Sequence, residues 1–290
     1  MPELPEVETV ARGLRAALIG HTIADVKVLW VRSVVPPDPA AFVRRLTGQT
    51  ITDVGRRGKW VVMGLSNCNT LLIHLRMSGR LVIESEACPD DRHLRVLILL
   101  EDGRRLSFVD PRKFGRMHLT DTPEQVLGDL GPEPLSGEFT AGRLAEMLKQ
   151  RRGRIKPLLL DQRFLAGLGN IYADEALWRA RIHPLRPAHT LTSTEVRRLH
   201  TAIQAVLTAA IAGGGTTLGD ETYRQADGQA GEFADELAVY GRTGQPCPRC
   251  GQTIARITVS QRGTHFCPRC QALQRKKLKI QGIDSEANRA

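Results

Sequence analysis

Hydrophobic side chains near the start of the chain recur three or four residues apart, which is the period of an amphipathic helix. The residues that form this apolar face are Val7, Val10, Leu14 and Leu18. Pro5 suits the first turn of a helix, and Glu6 and Glu8 suit its positively charged end. The pattern therefore predicts a helix that begins near Pro5 and stops at Gly20.

Between residue 22 and about residue 120, the apolar positions form alternating or short continuous runs that are typical of strands. The clearest segments are TIADVKVLWV, KWVVMGL, TLLIHL, LRVLILL and RRLSFVD. Turn residues separate them, as in SNCN at 66–69 and EDG at 101–103. We expect a β-sandwich flanked by helices, within a multidomain α+β protein.

The helical period returns at 139–212, after a Pro- and Gly-containing segment, GPEPLSGE. The predicted organisation is an N-terminal β-sandwich domain at 2–130, a linker at 131–138, a helical domain at 139–231, a hairpin at 238–274 and a tail at 275–290. The helical domain would end in a Gly-rich loop from about 213 to 231.

The charge balance favours an anionic partner. The 290 residues carry a net charge of +10, so nucleic acid is the first expectation and an acidic membrane surface the second. No basic helix has an aromatic face, and no apolar run approaches the ~20 residues of a membrane span. The first residues are acidic, whereas a signal peptide begins with bases. We therefore expect a cytoplasmic protein with no membrane partner.

Four of the six cysteines form two CPRC pairs, and sixteen residues separate the pairs. This spacing is typical of a structural zinc site with the ligands Cys247, Cys250, Cys267 and Cys270. Two disulfides are the alternative, but a reducing cytoplasm disfavours them. Four thiolates fill the coordination shell of zinc, so we expect one structural Zn²⁺ and no organic cofactor. Cys68 and Cys88 are interpreted as ordinary small or loop residues.

Four further stretches have both an ordinary and a functional interpretation. Lys59 in GRRGKW is a solvated charge or a phosphate contact. Phe114 in DPRKFG is a buried aromatic residue or a wedge that enters a duplex. The glycines of GLGN would leave free backbone N–H groups before a helix, which is a possible phosphate site. Arg262 in QRGTHF would lie near the tip of the zinc hairpin.

The terminus MPELPE contains a candidate reagent. Removal of Met1 would give Pro2 a free secondary amine. An α-amino group has a pKa of about 8, against about 10.4 for lysine, so much more of it is unprotonated near neutral pH. From composition alone, this amine is either a nucleophile or only the start of a helix.

Taken together, these stretches resemble the bacterial formamidopyrimidine-DNA glycosylase family. The resemblance extends in order to about Gln274 through PELPEVETVARGL, GRRGKW, HLRMSG, DPRKFG, LGPEPL, IKPLLLDQRFLAGLGNIYADEALWRARIHPLR, VYGRTGQPCPRCG and RGTHFCPRCQ. It implies a DNA repair glycosylase and abasic-site lyase that removes 8-oxoguanine and formamidopyrimidines from duplex DNA. It also implies a helix–two-turns–helix within 139–231 and a loop that closes over the extruded base. We expect a monomer, since nothing in the sequence suggests a reader of paired half-sites.

The resemblance assigns a catalytic role to four residues. Pro2 would attack the sugar C1′ and form a Schiff base, and Glu3 would transfer protons. Lys59 would donate a proton near the lesion, and Arg262 would assist δ-elimination after β-elimination. The remaining assignments are DNA contacts, namely His74, Met77, His93, Arg112, Phe114, Arg154, Lys156, Asn170 and Tyr240.

Strand alternation alone would place Met77 in the core, whereas the resemblance makes Met77, Arg112 and Phe114 the residues inserted into the gap left by the flipped nucleotide. The chain differs from the family pattern in three places. Arg76 stands where the pattern has Gly, and about two extra residues lie near Glu221–Thr222. The segment PDDRHL at 89–94, which contains His93, is less rich in histidine than the pattern.

Two alternatives remain at this point. An endonuclease VIII-like enzyme would have the same architecture but prefer oxidised pyrimidines; Leu4, where that branch tends to have Gly, argues against it. A non-catalytic zinc-hairpin protein would only bind bent or damaged DNA. The complete set of four catalytic residues argues against this second alternative.

Overall fold

The structure is a computed structural model that describes residues 1–36, 38–84, 92–219 and 223–273. Cys88, the extra residues near Glu221–Thr222 and the tail at 275–290 lie outside the described residues. Within the described ranges, no helix is long and apolar enough to cross a membrane.

The first helix forms as its sequence predicts. Helix α1 (Leu4–Leu18) has Pro5 in its first turn, and Gly20 follows its end with a φ of +85°. Glu3 is the N-cap, and a capping box joins it to Glu6, since the Glu3 N–H donates to the Glu6 carboxylate at 2.7 Å. The apolar face of α1 is fully buried.

Two sheets follow, and their residues share one core with α1. The nine strands described there are β1 (Ile23–Val28), β2 (Val34–Val35), β3 (Ile51–Arg57), β4 (Trp60–Leu65), β5 (Thr70–His74), β6 (Arg80–Glu84), β7 (Leu94–Leu100), β8 (Arg105–Val109) and β9 (Arg116–Thr120). Their order is β1-β7-β8-β6 in one sheet and β2-β9-β5-β4-β3 in the other. This arrangement confirms the predicted sandwich.

The prediction of strands throughout 22–120 was wrong in one place. Residues Pro39–Leu46 form helix α2, with Asp38 as the N-cap and Pro39 in the first turn. Only Phe42 and Leu46 of α2 are buried, and their spacing of four gives a helix one apolar stripe. A short helix, α3 (Glu124–Leu127), follows the last strand.

A second core contains helices α4 (Ala141–Lys149), α5 (Ile155–Leu160), α6 (Asn170–Ala180) and α7 (Ser193–Ala212). Turns at 161–169 join α5 to α6, which agrees with the predicted helix–two-turns–helix. Helix α7 begins with a Thr192–Glu195 capping box. The hairpin of β10 (Ala255–Val259) and β11 (Arg262–Phe266) then packs against α6.

At the boundary between the sandwich core and the helical core, each core contains residues from the other part of the chain. Leu4 of α1 is buried in the helical core, whereas Tyr223 and Ala226 of the Gly-rich loop are buried in the sandwich core. The segment at 131–138 contains no helix or strand. The boundary residues bring the N-terminus, α6 and the Gly-rich loop to one place.

Candidate active site and nucleic-acid interface

The N-terminus is buried where α1 meets α6. Pro2 is buried and Met1 is 45 % exposed. The Leu4 N–H donates to the Gly167 carbonyl at 3.0 Å, and a Cβ on Gly167 would lie 2.7 Å from the Leu4 side chain. A larger residue at 167 would therefore displace the terminus, and the φ of +84° there also favours glycine.

Glu3 occupies the N-terminal end of α6. Its carboxylate accepts a hydrogen bond from the Ile171 N–H at 3.0 Å, and its other oxygen is buried without a partner among the described residues. A Cβ on Gly169 would lie only 2.3 Å from the Glu3 carboxyl carbon. The free N–H group that the GLGN pattern predicted thus binds a carboxylate of the protein itself.

Glu6 joins the terminus to the Gly-rich loop. Its carboxylate accepts from the N–H groups of Glu3 at 2.7 Å and Thr216 at 2.9 Å, and also from the Tyr172 hydroxyl. Tyr172 in turn contacts the Thr216 hydroxyl at 2.7 Å. From the sequence, Glu6 is expected only to suit the start of the first helix, and no sequence signal points to Tyr172.

Lys59 lies in the two-residue turn between β3 and β4, where Gly58 has a φ of +57°. Burial lowers the pKa of Lys59, and the charges of Glu3 and Glu6 oppose that shift. Burial also raises the pKa of Glu3, and the Lys59 ammonium opposes that shift. The positive charge of Arg262 acts on Lys59 as well, so Glu3, Lys59 and Arg262 interact electrostatically, and Glu3 directly follows Pro2 in the chain.

The Lys59 turn is fixed by a residue of the predicted linker. The Glu133 carboxylate accepts from the Gly58 N–H at 2.6 Å and from the Arg57 guanidinium at 2.9 Å, and it pairs with Arg56 at 2.8 Å. Arg56 also pairs with Glu8 of α1 at 2.9 Å. Sequence reasoning missed this network, because its members are far apart in the chain.

The cavity beside Pro2 has a volume of about 20 Å³, which is room for about one water molecule. Its lining residues are Met1, Pro2, Glu6, Ile171, Thr216, Leu218 and Tyr223. The Tyr223 hydroxyl donates to the Gly214 carbonyl at 2.9 Å and holds the loop in this position. With Met1 in place, this cavity is too small for a purine.

Met77 and Phe114 are exposed, at 41 % and 52 %, so the implied wedge positions are confirmed as surface positions and the alternation argument for Met77 was wrong. Strand β5 ends at His74, which breaks the alternation before Met77. Arg76 has a φ of +56°, a conformation that suits the Gly expected there. The Arg112 guanidinium lies 3.6 Å from the Met77 sulfur, so these two side chains share one surface, and Phe114 is exposed two residues after Arg112.

Buried Asp110 organises this surface. Its carboxylate accepts from the Ser78 hydroxyl at 2.6 Å and from the N–H groups of Arg112 at 3.2 Å and Gly115 at 2.7 Å. The turns that carry Met77 and Phe114 are thereby joined. Sequence reasoning had not singled out Asp110, although Asp before a Pro turn is a recognisable signal.

The predicted phosphate contacts divide into exposed and buried residues. Arg112, Arg154 and Arg262 are exposed, and Asn170 and Tyr240 are half-buried. His93 is half-buried and lies 3.0 Å from the Arg92 guanidinium. His74 accepts the Arg76 N–H through Nδ1 at 3.0 Å, which leaves the proton on Nε2, and burial lowers the pKa of His74 to about 3. His74 is therefore a neutral donor.

Lys156 is not brought to the surface. It is fully buried, and its ammonium contacts Asp174 at 2.6 Å, the Thr264 hydroxyl at 2.8 Å and the Gly263 carbonyl at 3.1 Å. Two of these contacts are hydrogen bonds, and the contact to Asp174 is an ion pair. Because the ammonium is buried among these protein oxygens, it is not presented to a phosphate at the surface.

The four predicted zinc ligands converge, with all sulfur atoms within 4.8 Å of one another. A Zn–S bond of about 2.3 Å in a tetrahedron requires sulfur atoms about 3.8 Å apart. The distances of 3.5 Å between Cys250 and Cys267 and 4.0 Å between Cys247 and Cys270 fit that requirement. The Trp178 N–H donates to the Cys247 sulfur at 3.4 Å and joins the site to α6.

Comparison with known proteins gives three matched regions along the chain. Residues 1–117 match the formamidopyrimidine-DNA glycosylase N-terminal domain, residues 130–222 its H2TH domain, and residues 244–273 the zinc finger found in FPG and IleRS. The chain thus has the three parts of one known class of protein, namely a two-sheet N-terminal domain, a helical domain and a zinc finger.

Relatives and solved structures agree over nearly the whole chain. The formamidopyrimidine-DNA glycosylase of Roseiflexus sp. (strain RS-1) is 50 % identical, over 93 % of this chain and 100 % of that protein. The MutM (Fpg) structure from Thermus thermophilus is 45 % identical over 93 % of this chain and 98 % of that one, with a TM-score of 0.84. The Lactococcus lactis Fpg complex with DNA containing an abasic site is 38 % identical over 93 % and 100 %, with a TM-score of 0.87. This chain belongs to the formamidopyrimidine-DNA glycosylase family.

Proposed function

We propose that this protein is a bifunctional DNA repair enzyme that removes oxidised purines, 8-oxoguanine and formamidopyrimidines, from duplex DNA and then cleaves the strand. The observation that carries the proposal is the electrostatic interaction of Glu3, which directly follows the buried Pro2, with Lys59 and of Lys59 with Arg262. We also propose that the enzyme acts as a monomer in the cytoplasm, where double-stranded DNA is its partner.

The reagent in this proposal is the Pro2 amine after removal of Met1, since an acylated Pro2 nitrogen has no lone pair to use. The amine attacks C1′ as the bond to the base breaks and the base leaves with a proton. Opening of the sugar ring gives an iminium ion, which acidifies the C2′ proton. Loss of that proton breaks the C3′–O bond, and a second elimination breaks the C5′–O bond.

Glu3 and Lys59 serve as the proton-transfer pair in this scheme. Burial raises the pKa of Glu3 and lowers that of Lys59, so their proton affinities move toward each other. Groups with matched proton affinities exchange protons readily near neutral pH. We propose that Glu3 protonates the opening sugar and that Lys59 donates near the departing base.

The remaining residues hold the kinked duplex. Met77, Arg112 and Phe114 fill the gap left by the flipped nucleotide, because all three side chains are exposed. Further contacts come from the exposed or half-buried residues His74, His93, Arg154, Asn170 and Tyr240. Zinc supplies only structure, since four cysteines complete its shell. Lys156 supports this surface from within.

Borohydride trapping on a duplex with one 8-oxoguanine opposite cytosine tests the proposal. Protein that begins at Pro2 should form a covalent complex, whereas protein that retains Met1 should not. Mass spectrometry of the intact chain confirms which terminus is present. If neither form traps while both bind the duplex, the protein is a non-catalytic binder of damaged DNA. A thymine glycol duplex run in parallel reports the pyrimidine-specific alternative.

A further inference from the structure

A chain of buried polar contacts runs from α6 into the zinc hairpin. Asp174 lies one turn into α6, and its carboxylate pairs with Lys156 of α5 at 2.6 Å. Both side chains are almost completely buried, at 1 % and 0 % exposure. A buried ion pair costs desolvation energy and is weak evidence for stability, so its presence calls for another reason.

The chain of contacts continues to the backbone of Arg262. The Lys156 ammonium donates to the Thr264 hydroxyl at 2.8 Å, and that hydroxyl donates to the Arg262 carbonyl at 3.1 Å. Lys156 also donates to the Gly263 carbonyl at 3.1 Å. Two consecutive residues at the start of β11 are thus held by one buried ammonium.

The other oxygen of Asp174 holds the same strand one residue further on. It accepts from the His265 N–H at 2.8 Å and lies 3.2 Å from the His265 Nδ1. Contacts that lead back to Asp174 thus hold strand β11 at residues 262 to 265, and the Asn170 amide adds a hydrogen bond to the Gly263 carbonyl at 3.0 Å. A displacement of Asp174 would therefore displace the tip of the hairpin, where Arg262 lies.

Arg262 itself is exposed, and within the described ranges its guanidinium makes no hydrogen bond or ion pair. The side chain of Arg262 is free to bind a phosphate, and only the backbone at residue 262 sets the position of that side chain. Misplacement of a catalytic group by about 1 Å can cost about 100-fold in rate. The buried contacts thus act together with the pairing of Arg262 and Val259 in the hairpin to set where this side chain begins.

We propose that Asp174 is a positioning residue for Arg262, acting through Lys156, Thr264 and the backbone of β11. The inference rests on the proposed function, because it concerns the second, δ, elimination assigned to Arg262. It predicts that Asp174 controls this step separately from the attack by Pro2, to which it makes no contact.

The experiment uses the full-length zinc-loaded protein with Asp174→Asn and a duplex that already contains an abasic site. Zinc content, borohydride trapping and the ratio of δ to β products are measured together. We expect the δ-elimination rate to fall about 10- to 100-fold. Trapping should remain within about twofold of the unaltered protein, since an amine and a sugar suffice for it. An equal loss of trapping and δ-elimination would overturn the proposal.

A second variant distinguishes the positioning of Arg262 from a simple destabilisation of the hairpin by Asp174→Asn. Asp174→Leu combined with Lys156→Met replaces the ion pair by apolar side chains, which is often neutral for stability. Persistently low δ-elimination with full zinc content would support the positioning role. Restored δ-elimination in this variant would overturn it. If the unaltered protein itself failed to trap, the proposed function would be at fault and not the role of Asp174.

Discussion

Most of the charged side chains of the site are buried. Glu3, Glu6, Lys59 and Lys156 are all buried, and each has partners that limit the cost. Glu3 and Glu6 also form the capping box of α1, so the residues that start the first helix also build the site. The PELPE segment is thus both a helix start and a proposed reagent.

His74 allows a prediction about pH. Because burial lowers its pKa to about 3, it is neutral at any pH near 5 to 8 and donates through Nε2. Its protonation should therefore add nothing to DNA affinity as the pH falls from 8 to 5. The measurement is the dissociation constant for an abasic-site duplex at constant salt, compared between the unaltered protein and His74→Gln.

The unaltered protein and His74→Gln should also differ in how their stability depends on pH. The unfolded chain binds a proton at His74 below pH ~6.5, whereas the folded chain does so only near pH 3. His74 therefore lowers stability progressively as the pH falls through that window. His74→Gln should lose less stability between pH 6.5 and pH 4, measured by urea unfolding. Equal losses would contradict the buried neutral histidine.

At the scale of elements, α6 is the organising helix. Its N-terminal end binds Glu3, and Asp174 and Trp178 along it hold the zinc hairpin. Glu175 adds three backbone N–H contacts at 238–240. One helix therefore sets the relative positions of the terminal amine and Arg262, which come from opposite ends of the sequence.

Gly169→Ala tests the approach of α6 to the N-terminus. The new methyl group would overlap the Glu3 carboxyl carbon at 2.3 Å, so Glu3 must move away from the Ile171 N–H. We expect at least a 100-fold loss of base excision. The free energy of unfolding should fall by about 1–3 kcal/mol.

The matched control is Gly137→Ala, since a Cβ there would meet nothing within 4 Å. Base excision kinetics and thermal unfolding should be measured on both variants. Full activity in Gly169→Ala would contradict the close packing of Glu3 against α6.

At the scale of the whole molecule, three cores meet around the site. The sandwich core and the helical core are each large, whereas the third contains only Val239, Ile254 and the zinc cysteines Cys247 and Cys267. So small a core cannot hold the hairpin without metal. Arg262 therefore depends on zinc, while the two larger cores do not.

Removal of zinc should therefore disturb the position of Arg262 and leave the two larger cores folded. Chelation is expected to abolish δ-elimination because the hairpin that carries Arg262 unfolds, while most of the far-UV circular dichroism remains. Cys250→Ser should behave like the chelated protein. Cys68→Ser is the control, since Cys68 is exposed and outside the cluster. Undiminished δ-elimination by protein shown to be free of zinc would contradict this dependence.

Glu133 couples the linker to the Lys59 turn, and its replacement should affect both. Burial alone would raise the pKa of Glu133, but the hydrogen bond and charge of Arg56 hold it below its ordinary value. Its contribution to stability is thus present above pH ~4.5 and is lost as the pH falls through the lowered pKa.

Glu133→Gln should therefore destabilise the protein at pH 7 more than at pH 3, and it should slow base excision through Lys59. Urea unfolding at both pH values checks the first effect, and single-turnover kinetics check the second. Glu138→Gln, an exposed neighbour, serves as the control. A stability loss of the same size at pH 3 would show that the ion pairs do not carry the effect.

Much of the molecule follows from local sequence. The apolar stripe predicts α1, the alternating runs predict most strands, and the cysteine spacing predicts the zinc hairpin with Arg262 near its tip. Such features depend on residues close together in the chain. Helix α2 was missed, because two buried residues over two turns are too weak a signal within a β-rich region.

Only the tertiary structure decided which residues share a site. Nothing local shows that Glu133 fixes the Lys59 turn, that Asp110 joins two turns, or that Lys156 is buried under β11. These contacts join residues 30 to more than 100 positions apart. Their energies depend on burial and on partners that a pattern of residues does not contain, so the sequence determined the elements and packing determined how they form one site.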